Sequence, residues 1–384
     1  MSFQTYLSHF RTIRPSYESS QEHLLDWLLA AHTKAEAMSK KQDLNLSQIN
    51  EFQQQLKERL HHVSCKPADI SRRGHELKDF LHKNWNEMEI YNLENAPRGE
   101  DLTKRNNIYV SIVDTIFERY YPEQSAPPQD LIHVSCTGYA SPSGAQKIAA
   151  KRNWRQTTVT HAYHMGCYAS IPALRMASGF NRNHKEHRTD IVHTELCSLH
   201  YNPARHASDQ LVIHSLFADG FIKYSLHSNT EEKHPSLKIL GIFEQLIPNS
   251  SKLMLWNLDS HGFYFSLDKD IPMYIARSLS AFFKELCGRA GIKENEMIEN
   301  AIFTIHPGGP KIIKYIKNHF GCSDGQMHIS YSILKKYGNM SSCTLPQMWA
   351  EICEDDEIPN GSKVVSMAFG PGLTMAGVIL EKFL

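Results

Sequence analysis

The chain has 384 residues, of which 41% are apolar and 21% are charged, a composition ordinary for a globular protein of two domains or two fused halves. Its 41 basic residues balance 41 acidic ones, so no net field draws it to nucleic acid or to a membrane, and we expect neither partner. The sequence shows no signal-peptide pattern and no run approaching the roughly 18 apolar residues of a membrane span, so we expect a cytoplasmic protein. Its eight cysteines include no CxxC pair, so we expect reduced thiols.

The first hundred or so residues are predicted to be mostly helical. Residues 19–22, SSQE, have the pattern of a capping box ahead of the run LLDWLLAAHTKAEAM. A loop is predicted at 95–101 and another helix through 112–117. The second of the early helices is predicted from apolar residues at helical spacing, namely Ile49, Phe52, Leu56 and Leu60.

From residue 131 the pattern becomes α/β. Short apolar runs separated by helical segments predict buried strands at 131–135, 190–196 and 221–226. The polar stretch 227–236 is the predicted boundary between two halves, which we place at 1–232 and 233–384.

The second half repeats this pattern. The first pair of strands starts 60 residues apart (131 to 191), and the corresponding pair 62 apart (301 to 363), so two equivalent α/β halves are predicted. The predicted elements of the second half are strands at 253–259 and 262–267, a helix at 272–290, and strands at 301–306 and 363–369.

The first candidate for chemistry is Cys167, which follows Gly166 where a turn gives way to a helical pattern. A thiol at a helix N-terminus meets the positive end of the helix dipole, so we expect a lowered pKa and a reactive nucleophile. A small buried structural cysteine is the alternative. A metal site of His161, His164 and Cys167 is a further alternative, but it lacks a clear fourth ligand.

Two further polar residues stand in special local settings. His306 ends a predicted strand before PGGP, where it could activate a thiol or donate to a developing oxyanion, although a structural histidine fits as well. Asn339 follows Gly338 ahead of a helix, so it is either an N-cap or an amide donor aimed at a carbonyl. The loop at 368–377 does not fit a dinucleotide fingerprint and favours close approach of backbone to the reacting site.

The strings GCYA, IHPGGP, YGNMSS and FGPGLT, in this order, resemble the chalcone and stilbene synthase family, the type III polyketide synthases. The resemblance extends from about residue 60 to the C-terminus. It implies the five-layered αβαβα thiolase-like fold built from two similar halves, preceded here by a helical N-terminal region. That region looks typical of a bacterial member rather than a plant one, and the family works as a homodimer.

By this resemblance Cys167 accepts an acyl group from a CoA or carrier-protein thioester. His306 and Asn339 polarise a malonyl thioester carbonyl, and the enolate left by decarboxylation attacks the acyl-cysteine. The partners implied are acyl-CoA and malonyl-CoA, or an acyl carrier protein, and no metal or redox cofactor is needed. Phe217 and Phe265 match two aromatic gatekeepers between a pantetheine tunnel and an acyl cavity, although core packing would also explain them.

Several positions depart from the plant members of the family. Ser141 stands where plant enzymes place a methionine that reaches into the partner's cavity. Cys197 and His200 replace smaller or hydroxylated cavity residues, and Trp256 falls where plant enzymes have a glycine on the cavity floor, provided no insertion separates it from Phe265. These changes predict non-plant substrates and few extension steps.

Basic residues near the start of the matched region are candidates for binding the CoA phosphates. They lie in the string KPADISRRGHEL, and a solvated charge run is the alternative interpretation. The candidates are Lys66, Arg72 and Arg73.

The leading hypothesis is therefore an acyltransferase that condenses an acyl starter with malonyl units and releases a pyrone or resorcinol. The runner-up is a ketosynthase that joins two carrier-bound β-keto acyl chains into an α-pyrone. A Cys-His-Asn hydrolase fits the order of the three residues but not the HPGGP and FGPG loops. A non-catalytic thiolase-fold subunit would have little reason to retain all three polar residues.

Overall fold

The computed structural model describes residues 4–40, 45–182, 186–228 and 234–383. In chain order its strands are β1 Tyr6–Ile13, β2 Tyr17–Ser20, β3 Arg72–His75, β4 Asp130–Ser135, β5 Thr158–Tyr163, β6 Arg188–Glu195, β7 Gly220–His227, β8 Ser236–Leu246, β9 Met254–Asp259, β10 Gly262–Leu267, β11 Ile302–Ile305, β12 Lys363–Gly370 and β13 Thr374–Phe383. Its α-helices are α1 Gln21–Ser39, α2 Leu46–Val63, α3 Leu102–Tyr120, α4 Gly144–Lys151, α5 Ser170–Asn181, α6 Ser208–Leu216, α7 Ile271–Ala290, α8 Glu294–Asn300, α9 Pro310–Phe320, α10 Asp324–Tyr337 and α11 Thr344–Glu354.

Nine of these strands form one sheet in the order β11-β12-β13-β8-β1-β7-β6-β4-β5. The predicted equivalence of the halves appears in this sheet, because β4 pairs in parallel with β6 and β11 pairs in parallel with β12. The two halves of the sheet join where β1 pairs with β8, at Tyr6 and Leu7. The structure therefore contains the two similar α/β units that the spacing of strands predicts.

The sheet is buried on both faces, so its side chains alternate between different cores. In β4, Leu131 packs with α1 and α3 while Ile132 packs with α5 and α11. In β12, Val364 packs with the same two central helices while Val365 packs with α7, α9 and α10. The two halves of the sheet pack on opposite sides of α5 and α11 and so form two separate layers. The order of layers is helix, sheet half, helix, sheet half, helix, which is the five-layered αβαβα arrangement.

The N-terminal region is less helical than predicted. Helices α1, α2 and α3 are present, and the Ser20 hydroxyl caps α1 by accepting from the His23 N–H at 3.2 Å. The prediction was wrong for β1, which lies inside the large sheet between β7 and β8. This strand is stabilised by pairing with strands more than 200 residues away in the chain, and no local sequence pattern predicts such pairing.

One feature of the second half positions the site. The predicted strands β9 and β10 form a separate antiparallel hairpin rather than part of the large sheet. Residues 229–233 of the predicted boundary lie outside the described residues, so the division at 232 stays a prediction. Among the residues described, no helix has both the length and the apolar character to cross a membrane.

Candidate active site

Cys167 lies in the turn between β5 and α5. Gly166 before it has a φ of +78°, and a side chain there would approach Pro371 Cδ to 2.8 Å. The Ala169 N–H donates to the Gly166 carbonyl at 3.1 Å and closes the turn. Most of the segment 368–377 is strand, and only 371–373 form a turn. The predicted close approach is present, because a side chain at Gly370 would come within 2.1 Å of the Tyr168 ring.

The expectation of a lowered pKa for Cys167 is wrong. Burial raises the pKa of the thiol to about 12, and the Glu195 carboxylate adds to the rise. The polar side chains of Ser341, to whose Oγ the Cys167 thiol donates at 3.9 Å, and of Asn339 lower the pKa without overcoming the effect of burial. α5 begins at Ser170, three residues further on, so its dipole does not offset the loss of water around the sulfur.

His306 lies immediately after β11, and its backbone N–H donates to the Met367 carbonyl at 2.8 Å, which continues the sheet. The side chain is buried, and neither ring nitrogen has a hydrogen-bond partner among the described residues. Burial lowers its pKa to about 3, so the imidazole is neutral. A neutral ring has one N–H to donate and one nitrogen to accept, and both are available here.

Asn339 is held on three sides. Its N–H donates to the Leu216 carbonyl at 3.0 Å, its carbonyl accepts from the Ala218 N–H at 2.8 Å, and its Oδ1 accepts from the Ser341 N–H at 2.8 Å. The Nδ2 donor is buried and has no partner among the described residues. Helix α11 begins five residues later, at Thr344, without a side-chain cap, so Asn339 is not its N-cap.

Two cavities meet at Cys167. The outer cavity also receives His306 and Asn339 and extends to the exposed Lys311 on α9. The inner cavity extends the other way, between the β9–β10 hairpin and α6. The residues that line both cavities are Cys167, Phe217, Met254 and Phe265.

The two predicted gatekeepers lie at this junction. The rings of Phe217 and Phe265 pack edge to face, with centroids 5.7 Å apart and planes at 86°. Phe265 is held from the inner side, because Gln210 Nε2 donates to its carbonyl at 2.6 Å. An acyl group on Cys167 would have to pass between or beside these two rings.

Three predicted cavity residues line the inner cavity: Trp256, Cys197 and His200. Trp256 Nε1 donates to the Cys136 carbonyl at 2.6 Å, which fixes the indole. His200 Nδ1 accepts from the Phe263 N–H at 3.0 Å, so its Nε2–H donates to the Thr137 carbonyl at 2.8 Å. Both nitrogens are therefore used, and His200 is a neutral wall residue rather than a free donor.

The other predicted binding residues do not meet at the cavities. Ser141 is exposed and lines neither of them. Arg72 is exposed and pairs with Glu18 at 3.5 Å. Lys66 is half-buried, and its Nζ has no hydrogen-bond partner among the described residues.

The prediction that Arg73 binds the CoA phosphates is wrong, because this residue is 1% exposed and cannot reach the phosphates of a nucleotide in solvent. Its Nη1 donates to the carbonyls of His214 at 2.8 Å and Phe217 at 2.6 Å, and to the Tyr201 hydroxyl at 2.8 Å. Its Nε donates to the Gln21 side chain at 2.8 Å. The guanidinium therefore holds the backbone that carries the gatekeeper.

Sequence reasoning missed a carboxylate beside the thiol. Glu195 ends β6, is fully buried, and accepts from the Cys136 N–H at 3.0 Å, from Thr137 Oγ1 at 3.1 Å and from the Ser342 hydroxyl. Cys136 Sγ in turn lies 3.0 Å from Ser341 Oγ. An acidic residue ending the apolar run DIVHTEL was the available signal, because a buried strand rarely ends in a charge without a partner.

The alternative of a metal site at Cys167 is not supported by the geometry. His161 contacts the Ser143 hydroxyl at 2.8 Å, and His164 Nε2 donates to the Trp256 carbonyl at 2.6 Å. Within the described ranges, no group of three or more His, Cys, Asp or Glu side chains has the geometry to hold a metal ion.

Comparisons with known proteins agree with this arrangement. Residues 42–224 match the N-terminal domain of chalcone and stilbene synthases, and residues 239–383 match the C-terminal domain. Probable polyketide synthase 1 of Dictyostelium discoideum is 32% identical over 293 residues, which make up 73% of this chain but only 9% of that protein. Type III polyketide synthase A of Arabidopsis thaliana is 26% identical over 337 residues, or 85% of this chain and 84% of that protein.

A solved structure shows the same fold. The C-terminal type III polyketide synthase domain of Steely1, a type I/III hybrid from Dictyostelium, superposes with a TM-score of 0.81 over 99% of this chain and 100% of that one. Sequence identity over the superposition is 22%, so the likeness concerns the fold. The expected thiolase-like αβαβα fold is confirmed.

Proposed function

The chain belongs to the chalcone and stilbene synthase family, the type III polyketide synthases, and on that premise we propose that it condenses an acyl thioester with malonyl thioester units through an acyl-cysteine. One observation carries the proposal. The Cys167 thiol shares a cavity with three buried nitrogens that lack partners in the described chain, the two of the His306 ring and Nδ2 of Asn339. Unpaired buried donors are costly unless a ligand uses them.

The first step is acyl transfer to the thiol. Cys167 Sγ attacks the acyl carbonyl while its proton passes to the neutral His306 ring, and the carbon–sulfur bond to the leaving thiol breaks. The departing thiolate takes the proton. Because burial keeps both the thiol and the imidazole neutral beforehand, the proton moves during this step rather than in the resting site.

The second step forms the carbon–carbon bond. A malonyl thioester carbonyl accepts hydrogen bonds from His306 and Asn339 Nδ2, its carboxylate leaves as CO₂, and the enolate charge develops where these donors lie. The enolate carbon attacks the acyl carbonyl on Cys167. The bond to Sγ breaks, and the sulfur takes one proton from solvent.

The inner cavity favours short products. The half-buried Trp256 indole lies in it beside Phe263, with ring centroids 5.6 Å apart. We therefore propose few extensions, ending in a pyrone or resorcinol. The alternative, a ketosynthase that joins two carrier-protein-bound β-keto acyl chains into an α-pyrone, would use the same three residues for one condensation.

The remaining parts of the proposal concern the setting of the site. We propose a cytoplasmic homodimer of bacterial type, supplied by acyl-CoA and malonyl-CoA or by an acyl carrier protein, and requiring no metal or redox cofactor. The exposed position of Ser141 supports a homodimer in which this residue faces the partner. The bacterial type is proposed only on the resemblance of the N-terminal sequence.

The test is product analysis with the purified chain. It is offered a panel of acyl-CoAs with carbon-13-labelled malonyl-CoA, and products and Cys167 peptides are examined by mass spectrometry. We expect labelled products and an acyl mass on the Cys167 peptide. Cys167→Ala should lose both while keeping some malonyl decarboxylation. An acyl label on another cysteine, or condensation by Cys167→Ala, would overturn the mechanism, and products without malonyl label would favour the single-condensation alternative.

A further inference from the structure

A chain of hydrogen-bonded histidines leads away from the inner cavity. His214 on α6 lines the cavity, and its Nδ1 lies 3.3 Å from Nε2 of His32 on α1. His32 Nδ1 lies 3.0 Å from Nδ1 of His206, and His206 Nε2 lies 3.2 Å from Oε2 of Glu36. Burial decreases along this chain, from fully buried His32 to half-buried His206 and Glu36.

The two ends of the chain determine where every proton lies. The Asn202 backbone N–H can only donate, so His214 Nε2, 3.3 Å away, accepts and His214 carries its proton on Nδ1. His32 must then accept on Nε2 and donate from Nδ1, and His206 must accept on Nδ1 and donate from Nε2 to the Glu36 carboxylate. One set of neutral tautomers therefore satisfies all four hydrogen bonds.

An additional proton cannot be accommodated in this arrangement. A doubly protonated imidazole presents N–H groups on both sides. One of the two contacts between histidines, or the contact between His214 and the Asn202 N–H, would therefore become N–H against N–H. Burial lowers the pKa of all three histidines, that of His214 to about 3, and so favours the neutral set. Only Glu36 raises the pKa of His206.

The charged and titratable groups that face the histidine chain come from several elements. Cations predominate, which further disfavours a proton on the chain. The facing groups are Glu36 on α1, Lys40 directly after α1, Arg59 on α2, Arg73 on β3, Arg105 on α3, and Tyr201, whose ring stacks on His214 with centroids 4.7 Å apart.

The inner end of the histidine chain, at His214, contacts the wall of the inner cavity, where the acyl group would bind. Tyr201 also lines the inner cavity, and its hydroxyl donates to the Phe217 carbonyl at 3.0 Å. The stacked pair of His214 and Tyr201 thus forms cavity wall and also supports the gatekeeper. A merely structural network would need no connection to this wall.

We propose that the His214–His32–His206–Glu36 chain is a positioning device for the far wall of the inner cavity, and that protonation at its outer end releases the wall and admits longer acyl groups. This inference rests on the proposed function, because it assigns the inner cavity to the acyl chain. His206 is the point of entry, since it is the least buried of the three rings.

The experiment measures which acyl groups load onto Cys167. Purified protein is offered an equimolar mixture of short and long acyl-CoAs between about pH 8 and about pH 4.5, and the adducts are weighed as intact protein. The range extends well below the ordinary histidine pKa of about 6.5, because burial lowers the pKa of His206. We expect the long-to-short ratio of the wild type to rise on acidification by about fourfold or more, the worth of one buried methylene group. The variant His206→Gln keeps a donor and an acceptor but cannot take a proton, so its ratio should stay at the value for about pH 8.

Two further variants complete the comparison. Glu36→Gln keeps an acceptor for His206 but removes the charge that raises its pKa, so the change should move to lower pH. His319→Gln replaces an exposed histidine on α9 and should behave as the wild type. A constant ratio in the wild type, or the same shift in His206→Gln, would overturn the proposal.

A second measurement does not depend on activity. Nitrogen-15 spectra of the histidine rings, assigned with the same variants, should show neutral Nδ1–H tautomers for His214 and His32 and a neutral Nε2–H tautomer for His206. The three should lose these tautomers together on acidification. Other tautomers, or independent titration, would overturn the positioning device, whereas absence of acylation at every pH with the expected tautomers would overturn the proposed function instead.

Discussion

Trp256 and Phe265 face each other directly across the β9–β10 hairpin. They are Cα partners in an antiparallel register that runs without a bulge from Gly262 opposite Asp259 to Leu267 opposite Met254. Directly opposed residues lie on the same face of a hairpin, and their ring centroids are 5.5 Å apart. The register therefore places the indole of Trp256 beside a gatekeeper and inside the cavity.

Replacing Trp256 by glycine should enlarge the inner cavity. An indole buries on the order of 200 Å², so Trp256→Gly should admit a longer starter or one more malonyl extension, seen by mass spectrometry as heavier products. The free energy of unfolding should fall by about 3–5 kcal/mol if the space stays empty. Trp256→Phe, which retains most of the ring volume, should give the wild-type products. Unchanged products from folded Trp256→Gly would mean that Cys197 or His200 limits chain length.

Removing the amide donor of Asn339 should slow decarboxylation. Losing one preorganised donor costs about 3–4 kcal/mol of transition-state stabilisation, or 10²–10³ in rate, so Asn339→Ala should lose that much. Asn339→Asp should be slower still, because it places negative charge beside the enolate while its oxygen can still accept from the Ser341 N–H. Release of CO₂ from malonyl-CoA measures both. A rate for Asn339→Ala within about twofold of wild type would limit this residue to structural hydrogen bonding.

The alkylation rate of Cys167 should keep rising with pH. The thiolate is the reactive form, and because burial raises the pKa of this thiol to about 12, its thiolate fraction should grow about tenfold per pH unit between about pH 7 and pH 10. Iodoacetamide labelling of the Cys167 peptide at a series of pH values measures this, with Cys167→Ser as the blank. A plateau reached below about pH 8 would show that the helix terminus or His306 lowers the pKa instead.

Replacing Arg73 should destabilise the protein, whereas replacing Arg72 should not. Arg73→Lys cannot reach the Tyr201 hydroxyl and the carbonyls of His214 and Phe217 together, so the free energy of unfolding should fall by about 2–4 kcal/mol. Arg72→Lys, at an exposed position, should stay within about 0.5 kcal/mol of wild type. Urea unfolding compares the two. A stable Arg73→Lys protein with a raised KM for CoA thioesters would restore the phosphate-binding role predicted from the sequence.

The motifs and most of the elements near them follow from the sequence alone. The run before His306 is a strand, Gly166 provides the turn before Cys167, and the spacing of strands in the two halves corresponds to parallel pairs in the sheet. These features depend on residues close together in the chain, on period-two burial and on a glycine at positive φ. They can therefore be read from short stretches of sequence.

Which charges are exposed, and which protonation states hold, depends on the tertiary structure. Arg72 and Arg73 are adjacent and identical, yet one reaches solvent and the other lies under the gatekeeper. The helix start after Cys167 predicted a lowered pKa, but burial by distant elements raises it. The histidine chain from His214 to Glu36 joins residues up to 182 positions apart. Burial and hydrogen-bond partners are set by segments far apart in the chain, so no local pattern contains them.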